Sequence, residues 1–93
     1  MDKADKQFNE YADILKVLAH PIRLCIVRGL IDHGECNVTY MQSCLGAPQS
    51  TISQHLQRLR TAGIIEGRRE GLEIHYKVSN EKVIKIVDAL FTE

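Results

Sequence analysis

The sequence predicts a mainly α domain carrying one β-hairpin, an α+β chain of five helices and two strands. Three observations predict it. Apolar residues recur at three- and four-residue spacing in segments cut apart by glycine and proline. One late stretch, residues 72–78, alternates apolar and polar instead. The length, 93 residues, suffices for one hydrophobic core and not for two, so 1–93 reads as a single domain.

Hydrophobic residues make up 44% of the chain and charged residues 26%, proportions that exclude a disordered or collagen-like chain. No run reaches the roughly eighteen consecutive apolar residues of a membrane span. The mixed-charge start over residues 1–6 lacks the apolar stretch of a signal peptide. A cytoplasmic protein with no membrane partner is expected. Cys25, Cys36 and Cys44 are odd in number and without CxxC spacing, which argues against a disulfide framework and against an all-cysteine zinc site. Formal net charge is zero but unevenly spread: residues 1–47 hold five basic and six acidic residues, whereas 48–79 hold five and three. The basic excess falls mid-chain, where a nucleic-acid surface would need it.

Phe8, Tyr11, Ala12, Leu15 and Leu18 mark the buried stripe of a first amphipathic helix ending near Ala19-His20. Pro21 opens a second helix, proline being suited to the first helical position. Its residues Ile22, Leu24, Cys25, Ile26, Val27, Leu30 and Ile31 leave little of it polar, so it is expected at the centre, closed by Gly34. Val38, Met41, Cys44 and Leu45 indicate a short third helix stopped by Gly46. From Pro48 a fourth helix runs over 48–61 with Ile52, Leu56 and Leu59 inward and Gly63 at its end. Leu72, Ile74, Tyr76 and Val78 form the half-buried face of a strand, and Ile64-Ile65-Glu66 supplies its antiparallel partner. Arg68-Arg69-Glu70-Gly71 joins the two as a charged tip, with the glycine at a left-handed position. Val83, Ile84, Ile86, Val87, Leu90 and Phe91 cover two adjoining faces of a last helix. One face packs inward; the other, together with the first helix, suggests the interface of a homodimer.

A short helix, a tight Gly46-Ala47-Pro48 turn and a longer helix with a polar outer face form a helix-turn-helix, and the hairpin over 65–78 is a wing. The outer face of 48–61 carries side chains that read bases. Gln49, Gln54 and Gln57 can pair bidentately with adenine and Arg58 with guanine, while Ser50, Thr51 and Ser53 reach phosphates or base edges. Arg68 and Arg69 give the wing charge to follow the DNA backbone or enter the minor groove. A polar helix face is by itself unremarkable; the arginine-bearing hairpin directly after it gives it meaning.

Leu18-Ala19-His20-Pro21-Ile22-Arg23-Leu24, Leu45-Gly46, Gln49-Ser50-Thr51-Ile52-Ser53-Gln54-His55-Leu56 and Gly63-Ile64-Ile65 stand in this order. So does the wing segment Arg69-Glu70-Gly71-Leu72-Glu73-Ile74-His75-Tyr76. In these residues the chain resembles the ArsR/SmtB repressors from about residue 11 to its end. The resemblance implies a winged-helix homodimer, joined through its first and last helices, that represses a promoter until a signal weakens DNA binding. It places Gln49, Ser50, Thr51, Ser53, Gln54, His55 and Arg58 at the duplex. Metal-sensing members often carry Cys-x-Cys at the start of the third helix, where this chain has Asn37-Val38-Thr39. A second site of such members uses Asp and His on the last helix, where this chain has Asn80, Lys82 and Glu93, and asparagine and lysine make poor ligands. No cofactor is therefore expected.

Cys36, just before a helix whose dipole could lower its pKa, is the one sensor candidate, whereas Cys25 and Cys44 read as small buried hydrophobes. His20 reads as a helix boundary, His33 as part of an exposed turn, His55 as facing either DNA or the helix packing, and His75 as a residue of the strand's polar face. No nucleophile–base motif, phosphate loop or paired-carboxylate spacing occurs, so no enzyme is expected. The expected partners are double-stranded operator DNA, as a palindrome with half-sites about 34–36 Å apart, and a second copy of the chain. The alternatives are a metal- or thiol-responsive sensor repressor using Cys36, and a winged-helix protein-interaction module without DNA binding.

Overall fold

The computed structural model describes residues 3–92. In chain order they form α1 (Lys3–Leu18), α2 (Pro21–His33), α3 (Val38–Leu45), α4 (Gln49–Thr61), β1 (Ile65–Glu70), β2 (Glu73–Val78) and α5 (Glu81–Phe91). Turn residues set these boundaries. His20, extended, accepts the Ile22 amide at Nδ1, and Pro21 starts α2. Asn37 and Asn80 cap α3 and α5 with their side-chain oxygens, each satisfying first-turn amides that have no partner inside the helix. Gly46 ends α3 in the left-handed conformation, its amide bonded to the Gln42 carbonyl. The boundary at His20 and the stop at Gly46 are those expected from the sequence.

The core lies where α2, α4, the hairpin and α5 meet. Ile26, Val27 and Leu30 of α2 face Ile52, Leu56 and Leu59 of α4, while Ile64, Ile65 and Tyr76 close one side and Val83 and Val87 the other. This bears out the central position of α2 and the inward triad of α4. On α1 the expected stripe is corrected. Only Leu18 of the five residues is buried; Ile14 and Val17 pack against the core beside it, whereas Phe8 is 70% exposed and Tyr11 and Leu15 lie open. Both sets of residues have helical spacing, and α1 rests on α2 through a single edge, so only one set can turn inward.

The hairpin also differs from expectation. β1 continues through Arg68 and Arg69 to Glu70, which pairs with Glu73, so the tip is Gly71-Leu72 and not Arg68-Arg69-Glu70-Gly71. Backbone pairing does not depend on apolar side chains, and the charged residues simply extend the ladder. Gly71 takes φ +64° and no other residue type among those described has positive φ, so the two-residue loop has the glycine-first pattern of a type II′ turn. Leu72, expected on a half-buried strand face, is 99% exposed at the tip. One face of the hairpin carries Ile65, Gly67, Arg69, Ile74, Tyr76 and Val78; the other is wholly polar. The Tyr76 ring lies over Gly67, where an added Cβ would come within 2.9 Å of Ile74 Cγ2 and 3.1 Å of Tyr76 Cε1.

Gly67→Ala should therefore lift Tyr76 out of its seat and lower stability by about 1–3 kcal/mol. Urea unfolding checks it, with Gly29→Ala as the control, since a Cβ at Gly29 meets nothing within 4 Å. Equal midpoints for the two variants would contradict the packing.

Candidate nucleic-acid interface

The three inward residues of α4 leave Gln49, Ser50, Ser53, Gln54, Gln57 and Arg58 exposed and Thr51 half-buried on the outer side, as the sequence predicts. No acidic residue occurs between Ala47 and Ile65. The first turn of α4 is distinctive. Among the described residues, α2, α3 and α5 each receive a side-chain cap, whereas Pro48 offers none to α4. Its first amides point outward without a protein acceptor, and a helix start of that kind accepts anionic oxygen.

Of the two positions open to it, His55 takes the one in the helix packing. It is half-buried on the flank of α4, its ring 4.6 Å from that of His20 at the head of α2. It supports the angle between α2 and α4 instead of reaching outward. Burial first, then the proximity of His20 and Arg23, push its pKa below the ordinary imidazole value. Arg23 is itself fixed, its Nε donating to the Val17 carbonyl at 2.7 Å.

The wing arginines differ from each other. Arg68 donates to Glu35 at 2.6 Å and to Glu70 at 3.1 Å, so its charge is matched by two carboxylates. Arg69 makes no ion pair among the described residues, and its Nε donates to the Gly71 carbonyl at 3.4 Å. Its β1 position on the Ile74 side separates it from that cluster. His75 stands on the polar face, as expected, close to Glu70 and Glu73. Sequence reasoning missed the Glu35–Arg68 and His20–His55 contacts, whose partners are 33 and 35 residues apart and carry no local pattern.

The cysteines reverse their expected roles. Cys36 is buried, and its backbone N–H and C=O pair with Tyr76 at 3.1 and 2.8 Å, carrying the chain alongside β2. Asn37, not Cys36, caps α3, and burial pushes the Cys36 thiol up and not down. Cys25 and Cys44, expected inside, are exposed. No group of three His, Cys, Asp or Glu residues among those described converges on a point that could hold a metal ion.

A short helix, a left-handed glycine turn, a longer helix presenting an acid-free polar face and a two-stranded hairpin packed behind it define a winged helix-turn-helix protein. Residues 18–68 match the family described as Helix-turn-helix domain. The biofilm growth-associated repressor of Xylella fastidiosa is 41% identical over 88 residues, covering 95% of this chain and 76% of that protein. The transcriptional repressor PagR of Bacillus anthracis is 46% identical over 79 residues, covering 85% and 79%, and its crystal structure superposes with a TM-score of 0.85 over 91% of this chain and 97% of that one. A homodimeric winged helix-turn-helix DNA-binding domain from Mycobacterium bovis, a possible ArsR-family regulator, superposes with a TM-score of 0.87 at 30% identity, covering 97% and 82%. The chain belongs to the ArsR/SmtB family of winged helix-turn-helix transcriptional repressors. It is a DNA-binding regulator and not an enzyme. No helix among the described residues is long and apolar enough to cross a membrane.

The folded chain disfavours a His55 proton that the unfolded chain takes up near the ordinary value of 6.5. The His55 contribution to stability is thus intact above that pH and declines as the pH falls below it. The urea midpoint should drop between about pH 7.5 and about pH 5.5, and His55→Gln should flatten that dependence. An unchanged slope in the variant would remove His55 from the explanation.

Proposed function

We propose that the protein represses its target promoter as a cytoplasmic homodimer of one-domain chains, each placing α4 in the major groove of one half of a palindromic operator. The observation that carries this reading is α4 itself: a rigid apolar seam, an acid-free outer face and a first turn left open to phosphate. Gln49, Gln54 and Arg58 read base edges. Ser50, Thr51 and Ser53, with the open amides around them, hold the backbone and so fix the register. Arg69 follows the phosphates from the wing, and Arg68 joins it only where DNA competes with Glu35 and Glu70. His55 acts from behind, through His20.

Phe8, Tyr11 and Leu15 on α1 and Leu90 and Phe91 on α5 are the exposed apolar residues that a second copy would cover. Tyr11 and Lys82 already join α1 to α5 through a hydrogen bond, with the Lys82 ammonium 4.4 Å from the Tyr11 ring centroid. A two-fold axis there sets two α4 helices facing one side of the duplex, with half-sites about one helical turn, roughly 34–36 Å, apart. The homodimer reported for the Mycobacterium bovis domain supports this assembly.

Gel shift against the chain's own promoter tests the reading, and failure to bind any duplex at low salt would end it. Gln54→Ala or Arg58→Ala should cost about 1–3 kcal/mol on the operator and much less on random duplex. Arg69→Ala should weaken both alike and lower the salt slope by about one; equal losses on both duplexes for Arg58→Ala would remove its base-reading role. Leu90→Glu should yield monomers in analytical ultracentrifugation and abolish tight operator binding. A variant that stays dimeric would move the interface elsewhere.

A further inference from the structure

The outer face of α4 continues past Gln54. Gln54, Arg58 and Thr61 follow at four and three residues, so they lie on one side of the helix, and Thr61 stands about 10 Å along the axis from Gln54. At that far end the face opens into a groove of about 470 Å³ walled by Asp13, Lys16 and Val17 of α1, Arg23 of α2, and Arg58, Thr61 and Ala62. Three helices thus bring three cations and one carboxylate to the same place. Among the described residues Lys16, Arg23 and Arg58 form no ion pair, with Asp13 or with any other acid. That sets them apart from Arg28, Arg68 and Lys77, each of which has a carboxylate partner. Arg23 is oriented in advance. Its Nε donates to the Val17 carbonyl at 2.7 Å, in the last turn of α1, and its terminal N–H groups have no acceptor among the described residues. Thr61, the last residue of α4, adds an exposed hydroxyl.

We propose that this groove holds backbone phosphate of the operator just past the bases that α4 reads, with Lys16 and Arg23 as the cationic contacts and Thr61 as a third donor. The assignment rests on the repressor reading above and deepens it. The side chains select phosphate over a base edge. Lysine and arginine only donate and phosphate oxygens only accept, whereas each base pair presents a donor beside its acceptors in the major groove. A guanidinium held at its Nε can offer its remaining N–H groups to two phosphate oxygens at once. The shape of the groove selects a duplex over a small free anion. Lys16 is exposed, so a lone phosphate there keeps much of its water, while a phosphate carried by a duplex seated on Gln54 and Arg58 is delivered by those neighbouring contacts. Arg58 stands at the border, lining the groove at the end of the base-reading face. Asp13 works against the site, because its carboxylate shares the groove with no cation paired to it.

Arg23 also fastens the end of α1, so the test turns on Lys16 and Asp13, which are exposed. Phosphate ethylation interference on the operator is the direct measurement. With the wild-type chain, ethylation of a phosphate beyond the bases read by α4 should weaken binding in each half-site. With Lys16→Gln that phosphate should lose its effect while interference at the other phosphates persists. Lys16→Gln should also weaken operator and random duplex alike by several-fold and lower the salt slope by about one for each bound chain. Lys6→Gln, the same charge change about 15 Å nearer the start of α1, should leave the slope where it is. Asp13→Asn should tighten both duplexes several-fold. An unmoved interference pattern with an unchanged slope in Lys16→Gln, or an equal fall in slope for Lys6→Gln, would overturn the groove as a phosphate site and leave the repressor reading intact. Calorimetric binding of inorganic phosphate to the free chain, lost in Lys16→Gln with no change on the duplex, would give the groove to a small anion instead. A wild-type chain that binds no duplex at low salt would end the repressor reading and the site with it.

Discussion

Ile52, Leu56 and Leu59 are almost wholly withdrawn from solvent, and each removes a large aliphatic side chain from water against Ile26, Val27 and Leu30 of α2. Each such burial is worth about 1.5–3 kcal/mol, far more than any single contact on the outer face. Rotating α4 by one residue would expose the triad and carry polar side chains into the core. The apolar seam thus fixes which residues look outward, and the amides of the first turn are aimed with them.

The wing is bound to the helices by backbone as well as by the buried side chains of Ile65 and Tyr76. The Cys36–Tyr76 bridge lays the segment before α3 alongside β2, and the Glu35–Arg68 and Asn37–Glu73 contacts flank it at 2.6 and 2.7 Å. These flanking pairs are exposed, so they orient more than they stabilise. Through this bridge the hairpin and the start of α3 are joined by backbone hydrogen bonds. The pairing also matches an arginine that composition alone would count as free charge.

Much of this architecture was legible in residue order because local chemistry dictates it. Apolar spacing on α4, proline at the head of α2, and glycines at residues 46 and 71 each act within a few residues of themselves. Where reading failed, the deciding partner was distant. α1 offers two sets of apolar residues with helical spacing, and only the edge presented by α2 decides which turns inward. Cys25 and Cys44 sit in apolar stretches yet lie open, because α2 and α3 diverge to leave a cavity between them. Cys36 stands just before a helix, yet β2, far along the chain, buries it. Arg68 and Arg69 look alike as neighbours in sequence, but strand alternation sends them to opposite faces of the hairpin. Of the residues expected at DNA, the outer-face positions of α4 stand where the helical period puts them. His55 falls on the flank because a histidine at the head of α2 meets it there.

An uncapped helix start is the least secure turn of a helix, since its amides gain no protein partner when they order. In α4 that turn spans Gln49, Ser50 and Thr51, so phosphate oxygens that bind there would complete the helix as well as neutralise charge. On the proposed reading, operator binding and the satisfaction of these amides would be one event. α4 is helical from Gln49 without nucleic acid, so a duplex would give those amides acceptors, and one whose backbone does not reach them would leave them to water.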